Sequence, residues 1–376
     1  MNPKEPNKGP KIVISGYYGF DNCGDEAVLS SMIRSFRQLK PDIRITVLSG
    51  NPESTTQEHG VNAVNRWNPL TAAREILSCR LLISGGGSLL QDVTSTKNVL
   101  YYLAVIRLAT LFNKKVMIYS QGIGPLNNAK NRIRVSKAFN RCNVITVRDE
   151  LSSKLLKEIG INRDIQVTCD PVMALTSEDA DKSIVRGMIN YAFRAGNEAD
   201  NHKPLLMVAI RRWSDDRHLA PVAAFLDIQA RLGWRVLLVP AHYPDDSVAQ
   251  SEISALMTES KYCLDKGLTA RQFFAATAIA DKVFSMRLHG LICAFAVGTP
   301  MLALSYDPKV GAFMQQAGFR DYCLSFESFD PETAAVLSAK LDNLSAESIQ
   351  TQDIRRRELM ELAWNTAKKA IELLEL

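Results

Sequence analysis

The sequence predicts an α/β protein of two domains, each a parallel sheet covered by helices on both faces, with a C-terminal amphipathic helix returning to the first domain. Three observations carry that expectation. Short apolar runs alternate with segments of helical spacing, and the runs are apolar throughout rather than at every second residue. The alternation also stops once and restarts along 376 residues, a length suited to about two domains of ~150 residues each. Strands apolar on both faces belong in a parallel sheet covered by helices on each side.

Taken in order, Ile12–Ser15 is an apolar run closed by Gly16, and Ala27–Leu39 follows at helical spacing. Ile43–Leu48 is β-branched and strand-like, Leu70–Leu77 reads as a helix, and Leu81–Ser84 is a buried strand running into Gly85-Gly86-Gly87. A helix over Asn98–Leu111 leads to the strand Val116–Ser120, a helix over Arg132–Asn140 and the strand Val144–Val147. Between Thr176 and Lys203 the composition turns to Ser, Glu, Asp, Asn and Lys, which places the boundary there, although Ile184–Phe193 could still be helical. The second alternation runs through Leu205–Ile210, Pro221–Leu232, Val236–Val239, Ala270–Ala280, Val283–Ser285, Leu291–Val297 and Met301–Ser305. The last 26 residues set Leu359, Leu362, Ala363, Thr366, Ala367, Ala370 and Leu374 on one stripe, an amphipathic helix. The division expected is 1–176 for the N-terminal domain, 177–203 for a linker, 204–350 for the C-terminal domain and 351–376 for the last helix.

Composition narrows the function classes. Hydrophobic residues at 46% and charged residues at 23% exclude a disordered or fibrous chain. A net charge of +5 is too mild for a dedicated nucleic-acid binder, so no nucleic-acid partner is expected, while anions are suitable ligands. The polar start MNPKEPNKGP does not resemble a signal peptide. The longest apolar stretch, Val99–Phe112, is broken by Arg107 and falls short of the ~20 residues of a bilayer span. Seven cysteines are scattered without CxxC or zinc spacing, and several, Cys293 among them, read as small core residues, which suits a reducing, cytoplasmic setting. No metal site is expected.

In open parallel sheets ligands bind beyond the carboxyl ends of the strands, so residues following each apolar run are the site candidates. GYYGFDNCGDEA follows the first strand; its glycines Gly16, Gly19 and Gly24 fit neither GxGxxG nor a P-loop. A Gly-rich turn opening onto a helix start still favours an anion or a sugar, and Asp25 either lines that site or stabilises the first helical turn. In GGGSLLQD, Gly86 and Gly87 let a ligand approach the backbone, Ser88 could cap a helix or donate to a bound oxygen, and Asp92 could accept from sugar hydroxyls or cap. Arg148, directly after Val144–Val147, offers a bidentate fork to a carboxylate or phosphate, or pairs with Asp149 or Glu150. Arg211 and Arg212 take the matching place in the second half and point to opposite faces. SMRLHG puts Arg287 and His289 at a strand-to-helix junction, and SYDPK adds Tyr306, Asp307 and Lys309. Arg148, Arg287, His289 and Lys309 together suit a small, multiply charged anion beside one titratable group.

These motifs, with SQGIGP (Ser120–Pro125), VRDE and CDPV (Cys169–Val172), resemble the polysaccharide pyruvyl transferase family, in particular its bacterial cell-wall members. They spread from Gly16 to Lys309, and their order is more specific than any one of them. The resemblance implies two Rossmann-like domains facing across a cleft, a GT-B-like fold, and transfer of the enolpyruvyl unit of phosphoenolpyruvate to a sugar as a cyclic ketal. The sugar implied is N-acetylmannosamine of a lipid-linked cell-wall precursor, ketalised at its 4- and 6-hydroxyls, a ligand for S-layer proteins in that family. On this reading His289 is the general acid/base, with Asp92 next in line. Gly16, Asn22, Asp25, Gly86, Gly87, Ser88, Gln121, Arg148, Arg211, Arg287, Leu288 and Lys309 bind substrates. The first domain takes the acceptor side and the second the donor side. Phosphoenolpyruvate is a co-substrate and no cofactor is expected. A basic segment with Lys130, Arg132, Arg134, Lys137 and Arg141 is either a solvated face or a contact with the anionic inner membrane surface. Two rivals share the pattern: a GT-B glycosyltransferase or sugar-nucleotide epimerase, and a non-catalytic anion- or sugar-binding module.

Overall fold

Each apolar run becomes a strand, and the strands sort into two parallel sheets in a computed structural model that describes residues 9–92, 96–180, 182–195, 203–264 and 266–376. The chain opens with β1 (Lys11–Ser15), α1 (Cys23–Leu39), β2 (Arg44–Ser49), α2 (Pro52–His59), β3 (Asn62–Asn65), α3 (Pro69–Ser78) and β4 (Leu81–Gly85). It continues through α4 (Thr96–Leu111), β5 (Lys115–Gln121), α5 (Ala129–Phe139), β6 (Val144–Val147), α6 (Glu150–Glu158) and β7 (Ile165–Val167). These strands form a seven-stranded sheet of order β3-β2-β1-β4-β5-β6-β7. After α7 (Lys182–Ala195) come β8 (Leu205–Ala209), α8 (Leu219–Arg231), β9 (Arg235–Leu238), α9 (Asp245–Leu256), β10 (Lys261–Cys263) and α10 (Ala270–Ile279). Then follow β11 (Lys282–Ser285), α11 (Leu288–Val297), β12 (Met301–Ser305), α12 (Pro308–Gln316), β13 (Cys323–Ser325), α13 (Pro331–Asp342) and α14 (Ala346–Glu375). The second sheet has the order β10-β9-β8-β11-β12-β13.

Both orders run outward from a central first strand and reverse beside it, between β1 and β4 in one sheet and between β8 and β11 in the other. That reversal opens a crevice at the carboxyl ends of the strands, the place where doubly wound sheets hold ligands. By its contacts the chain divides into two units. The first takes residues up to Phe20, Val28–Ala174 and Glu361–Leu376; the second takes Asp21–Ala27 and Leu175–Met360. In the first unit Val13, Leu82, Ile106, Val116, Ile118, Phe139, Ile145 and Leu156 form one fully covered core, which explains why the strand sequences show no polar alternation.

Three expectations need correction. The polar stretch 177–203 is not simply a linker, because α7 occupies much of it. Val185, Ile189 and Phe193 recur at i, i+4 and i+8 and are buried, a stripe hidden by the polar composition around it. The last helix begins at Ala346, earlier than residue 351. Its end belongs to the first unit, with Lys115 donating to the Leu373 carbonyl at 3.1 Å, but Leu362 leaves the expected stripe and is exposed. All seven cysteines are free and five are buried. Among the described residues no helix is long and apolar enough to cross a membrane.

Candidate functional site

The site candidates fall into two sets, one per unit. In the first unit they follow β1, β4, β5 and β6. Gly16 comes directly after β1, and its carbonyl accepts from Arg66 Nη1 at 2.8 Å. Gly86 and Gly87 turn the chain after β4 with φ of 72° and 68°. A Cβ on Gly86 would lie 2.1 Å from Val28 Cγ1, so only glycine fits there. Ser88 caps no helix, since α4 starts at Thr96; its Oγ accepts from Arg148 Nη2 at 3.2 Å. Gln121 ends β5 completely buried, and neither amide atom makes a hydrogen bond. Buried polar atoms rarely stay unpaired, and here the pair sits at the ligand edge of the sheet.

Arg148 is 5% exposed, and its fork is already partly engaged. Nη1 donates to Asp170 Oδ2 at 3.2 Å, and Nε lies 3.6 Å from Asp149 Oδ2. Asp149 itself caps α6 by accepting from the Ser152 amide at 2.8 Å. The predicted pairing with Asp149 is therefore present, but the closer carboxylate is Asp170 of the CDPV segment.

Asp92 behaves as a clamp. Its carboxylate accepts from the amides of Asn127 (2.7 Å) and Asn128 (3.0 Å) and from Asn131 Nδ2 (3.1 Å), fixing the approach to α5. Burial pushes its pKa up, but the three donors outweigh burial and hold it below the usual carboxylate range. An ionised, fully engaged carboxylate is a poor proton donor.

In the second unit Asn22 caps α1, its Oδ1 accepting from the amides of Gly24 (3.0 Å) and Asp25 (3.4 Å), and pairs with His242 in an antiparallel bridge. Asp25 lies half-buried in that first turn. Gly24 packs beneath His289: a Cβ there would stand 2.1 Å from His289 Nδ1. Arg287 is the N-cap residue of α11, with Leu288 and His289 in its first turn, and all three are half-buried. Arg287 Nε donates to Asp246 Oδ2 at 3.0 Å, and Nη2 pairs with Asp246 Oδ1. Asp246, at the start of α9 and 1% exposed, also accepts from the amides of Ala241 (3.1 Å) and His242 (3.0 Å). The arginine thus has one face locked by a fixed, fully coordinated carboxylate.

Because β8, β11 and β12 are neighbours, Arg211, Arg287–His289 and Tyr306–Lys309 leave three adjacent strand ends, spaced about 4.8 Å apart in such sheets. Arg211 Nη1 donates to Tyr306 Oη at 3.3 Å, and its guanidinium lies 5.2 Å from the Trp213 ring and 5.4 Å from the Tyr306 ring. Arg212 turns away to Asp216 and Glu252. His218 braces this loop through Nε2 on the Arg211 carbonyl at 2.9 Å; burial lowers its pKa, against the upward pull of that carbonyl and of Asp216 and Asp215. Lys309 is half-buried in the first turn of α12, which Asp307 caps through the Lys309 amide at 2.9 Å.

Sequence reasoning missed Asp170 and Asp246, the carboxylates behind Arg148 and Arg287. A strand-end arginine that is mostly buried requires a buried partner, and that requirement was the available signal. Chemically, each unit offers an oriented guanidinium at a sheet's ligand edge, and the second adds an imidazole at a helix start, where free N–H groups favour anions.

Solved structures share this fold over nearly the whole chain. A UDP-GlcNAc 2-epimerase from Neisseria meningitidis is 12% identical, covering 97% of this chain and 99% of that one with a TM-score of 0.62. A glycosyltransferase from Rickettsia africae is 13% identical, covering 98% and 96% with a TM-score of 0.56. A UDP-GlcNAc 2-epimerase from Methanocaldococcus jannaschii is 13% identical, covering 90% and 93% with a TM-score of 0.62. At such identities the likeness is one of fold. No functionally curated protein matches the sequence. The family model that does match describes polysaccharide pyruvyl transferases and spans residues 22–308, the stretch holding Ser88, Arg148, Asp170, Asp246, Arg287 and His289, so this chain belongs to the polysaccharide pyruvyl transferase family and is a transferase.

Proposed function

We propose that the enzyme transfers the pyruvyl group of phosphoenolpyruvate to N-acetylmannosamine of a lipid-linked cell-wall polysaccharide precursor, forming a 4,6-ketal and releasing phosphate. The observation that carries this reading is the Asp246-held Arg287 beside His289 at the β8/β11 reversal. Phosphoenolpyruvate presents a carboxylate and a phosphate; guanidinium forks bind both, and a fork fixed beforehand loses little freedom on binding. His289 delivers a proton to the methylene carbon as the first sugar hydroxyl attacks C2. The second hydroxyl then attacks C2 as the bond to phosphate breaks, and the two hydroxyl protons leave through the imidazole and the departing phosphate. Arg287 and Lys309 stabilise the charge growing on that phosphate. Arg148 of the first unit is assigned an anionic group of the substrates, and Asn22, Asp25, Gly16, Gly86, Gly87, Ser88, Gln121, Leu288 and Arg211 retain their substrate-binding assignments. Asp92 is reassigned to holding the approach to α5.

The enzyme works in the cytoplasm on this reading. The exposed Lys130, Arg132 and Lys137 of α5, flanking an exposed Ile133, support peripheral contact with an anionic membrane face. Isothermal titration with phosphoenolpyruvate and, separately, with UDP-N-acetylglucosamine tests the donor. Binding of the first alone supports the reading; binding of the nucleotide sugar alone replaces it with glycosyl transfer or epimerisation. Phosphate release by His289→Gln should fall about 100-fold or more, the usual share of general acid–base catalysis. Near wild-type release would make His289 a binding residue.

A further inference from the structure

We propose that His242, oriented by Asp245, is the second proton-transfer group of the site and takes the proton of the attacking sugar hydroxyl while His289 gives one to phosphoenolpyruvate. The assignment rests on the reaction proposed above.

That reaction needs two such groups. In its first step C3 gains a proton in the same addition in which the hydroxyl attacking C2 loses one. A single imidazole does not give to one atom and take from another at once, and His289 is committed to the methylene carbon.

His242 lies between β9 and α9, on the strand end next to β8, and β8 borders the reversal at β11. Its backbone is fixed from several sides. The His242 amide donates to Asp246 Oδ2 at 3.0 Å, the same oxygen that Arg287 Nε reaches at 3.0 Å. On either side of it, the Cys23 amide donates to the Ala241 carbonyl at 2.9 Å, and the Tyr243 amide to the Asp21 carbonyl at 3.3 Å. One carboxylate oxygen thus positions both the anion-binding fork and this histidine. The start of α1 joins the two imidazoles as well, since Asn22 bridges to His242 and Gly24 packs beneath His289.

The side chain carries what a base needs. Nδ1 lies 3.3 Å from Asp245 Oδ2, and a carboxylate there keeps the ring hydrogen on Nδ1 and leaves Nε2 as the acceptor. Among the described residues nothing bonds to Nε2, and with the His242 side chain 21% exposed and that of Asp245 68% exposed, this edge is open to a substrate. The protons then balance over both steps. In the first, His289 protonates C3, the bond from the sugar oxygen to C2 forms, and Nε2 of His242 takes the hydroxyl proton. In the second, neutral His289 takes the proton of the second hydroxyl as it attacks C2. The bond from C2 to the bridging oxygen breaks, and the His242 imidazolium gives its proton to the departing phosphate. Each imidazole returns to its starting state.

Three variants test this: His242→Gln, Asp245→Asn and the two combined. Because His242 is held through its backbone, changing its side chain leaves those bonds in place. The readouts are phosphate release from phosphoenolpyruvate with the p-nitrophenyl glycoside of N-acetylmannosamine as acceptor, calorimetric titration with phosphoenolpyruvate alone, and thermal melting. Glutamine keeps hydrogen bonding but moves no proton, so turnover should fall about 100-fold or more, with phosphoenolpyruvate affinity within about twofold and melting unchanged. Asp245→Asn should lose about tenfold, and the double variant no more than His242→Gln alone, because the carboxylate acts through the imidazole. His242→Gln turnover within about threefold of wild type overturns the assignment and leaves the reaction standing. A loss of phosphoenolpyruvate affinity as large as the loss of turnover also overturns it, by making His242 a donor-binding residue. So do additive losses in the double variant, which separate Asp245 from the imidazole. A wild type that releases no phosphate removes the reaction, and this assignment with it.

Discussion

Asp246→Asn isolates what the buried carboxylate does for Arg287. The side chain receives four N–H groups: the amides of Ala241 and His242, and Nε and Nη2 of Arg287. Asparagine keeps the volume and one acceptor oxygen but loses the charge and turns an NH2 toward the guanidinium. Removing one partner of a fully buried ion pair costs about 3–5 kcal/mol. The Arg287 side chain is 15% exposed, so water shares the loss, and the retained oxygen still serves the Oδ2 contacts; about 2 kcal/mol remains. For a unit of this size that is about 4–8 °C in melting temperature. Calorimetry should record that fall, and steady-state assays of phosphate release should show the KM for phosphoenolpyruvate rising about tenfold as the fork loses its orientation. Arg287→Met in the same chain removes the orphaned cation, so the double variant should be more stable than the sum of the single losses predicts, by about 1–2 kcal/mol. Strict additivity, or an Asp246→Asn enzyme with wild-type melting and KM, would refute the positioning argument.

Gly24→Ala sets a Cβ 2.1 Å from His289 Nδ1, so the imidazole must move; turnover should drop about 100-fold while melting changes little, and unchanged turnover would detach His289 from the reaction. Asp92→Asn should cost about 1–2 kcal/mol at pH 7 yet leave turnover within a few-fold. Since the native carboxyl titrates below its ordinary value, its stabilisation is complete above about pH 4 and fades as pH falls through the native pKa, so denaturant melts of variant and wild type should draw together as the pH is lowered below about 4. A hundredfold loss of turnover with the fold intact would return Asp92 to catalysis. Lys282 is 1% exposed, bonded to Ser338 and Asp342 and lying 4.2 Å from the Trp234 ring, and burial lowers its pKa against the pull of Asp342. Lys282→Met leaves the buried Ser338 carbonyl without its donor, while Asp342 keeps water, so it should cost about 1–3 kcal/mol in urea melts, and wild-type stability would contradict that.

The central strands were legible because burial on both faces writes an unbroken apolar run, as in Leu81–Ser84 and Leu205–Ile210. The edge strands were not. β3, β7, β10 and β13 are three or four residues long and largely half-buried or exposed, so their sequences carry no run to find. Strand-end glycines, Arg148, Arg287 and His289 were legible because ligand edges follow apolar runs. The groups that orient them come from elsewhere: Asp170 lies after β7, Asp246 opens α9 and Arg66 follows an edge strand. Only the three-dimensional pairing discloses such partners, because nothing local in the sequence distinguishes a buried aspartate from a helix cap.

On the function proposed above, the paired arginines also govern how an anion arrives. Arg287 and Asp246 cancel to a short dipole, and Arg148 is more than offset by Asp170 and Asp149, when viewed from beyond the Debye length, about 10 Å at 0.1 M salt. The net +5 of the chain is therefore carried by other side chains, and these five residues contribute little long-range attraction. On that reading recognition is confined to the last few ångströms, where the part of the Arg287 guanidinium not held by Asp246 meets an oxygen of matching shape. Association should consequently vary only weakly with ionic strength, and sulfate or inorganic phosphate, alike in charge but lacking the second anionic arm, should compete poorly.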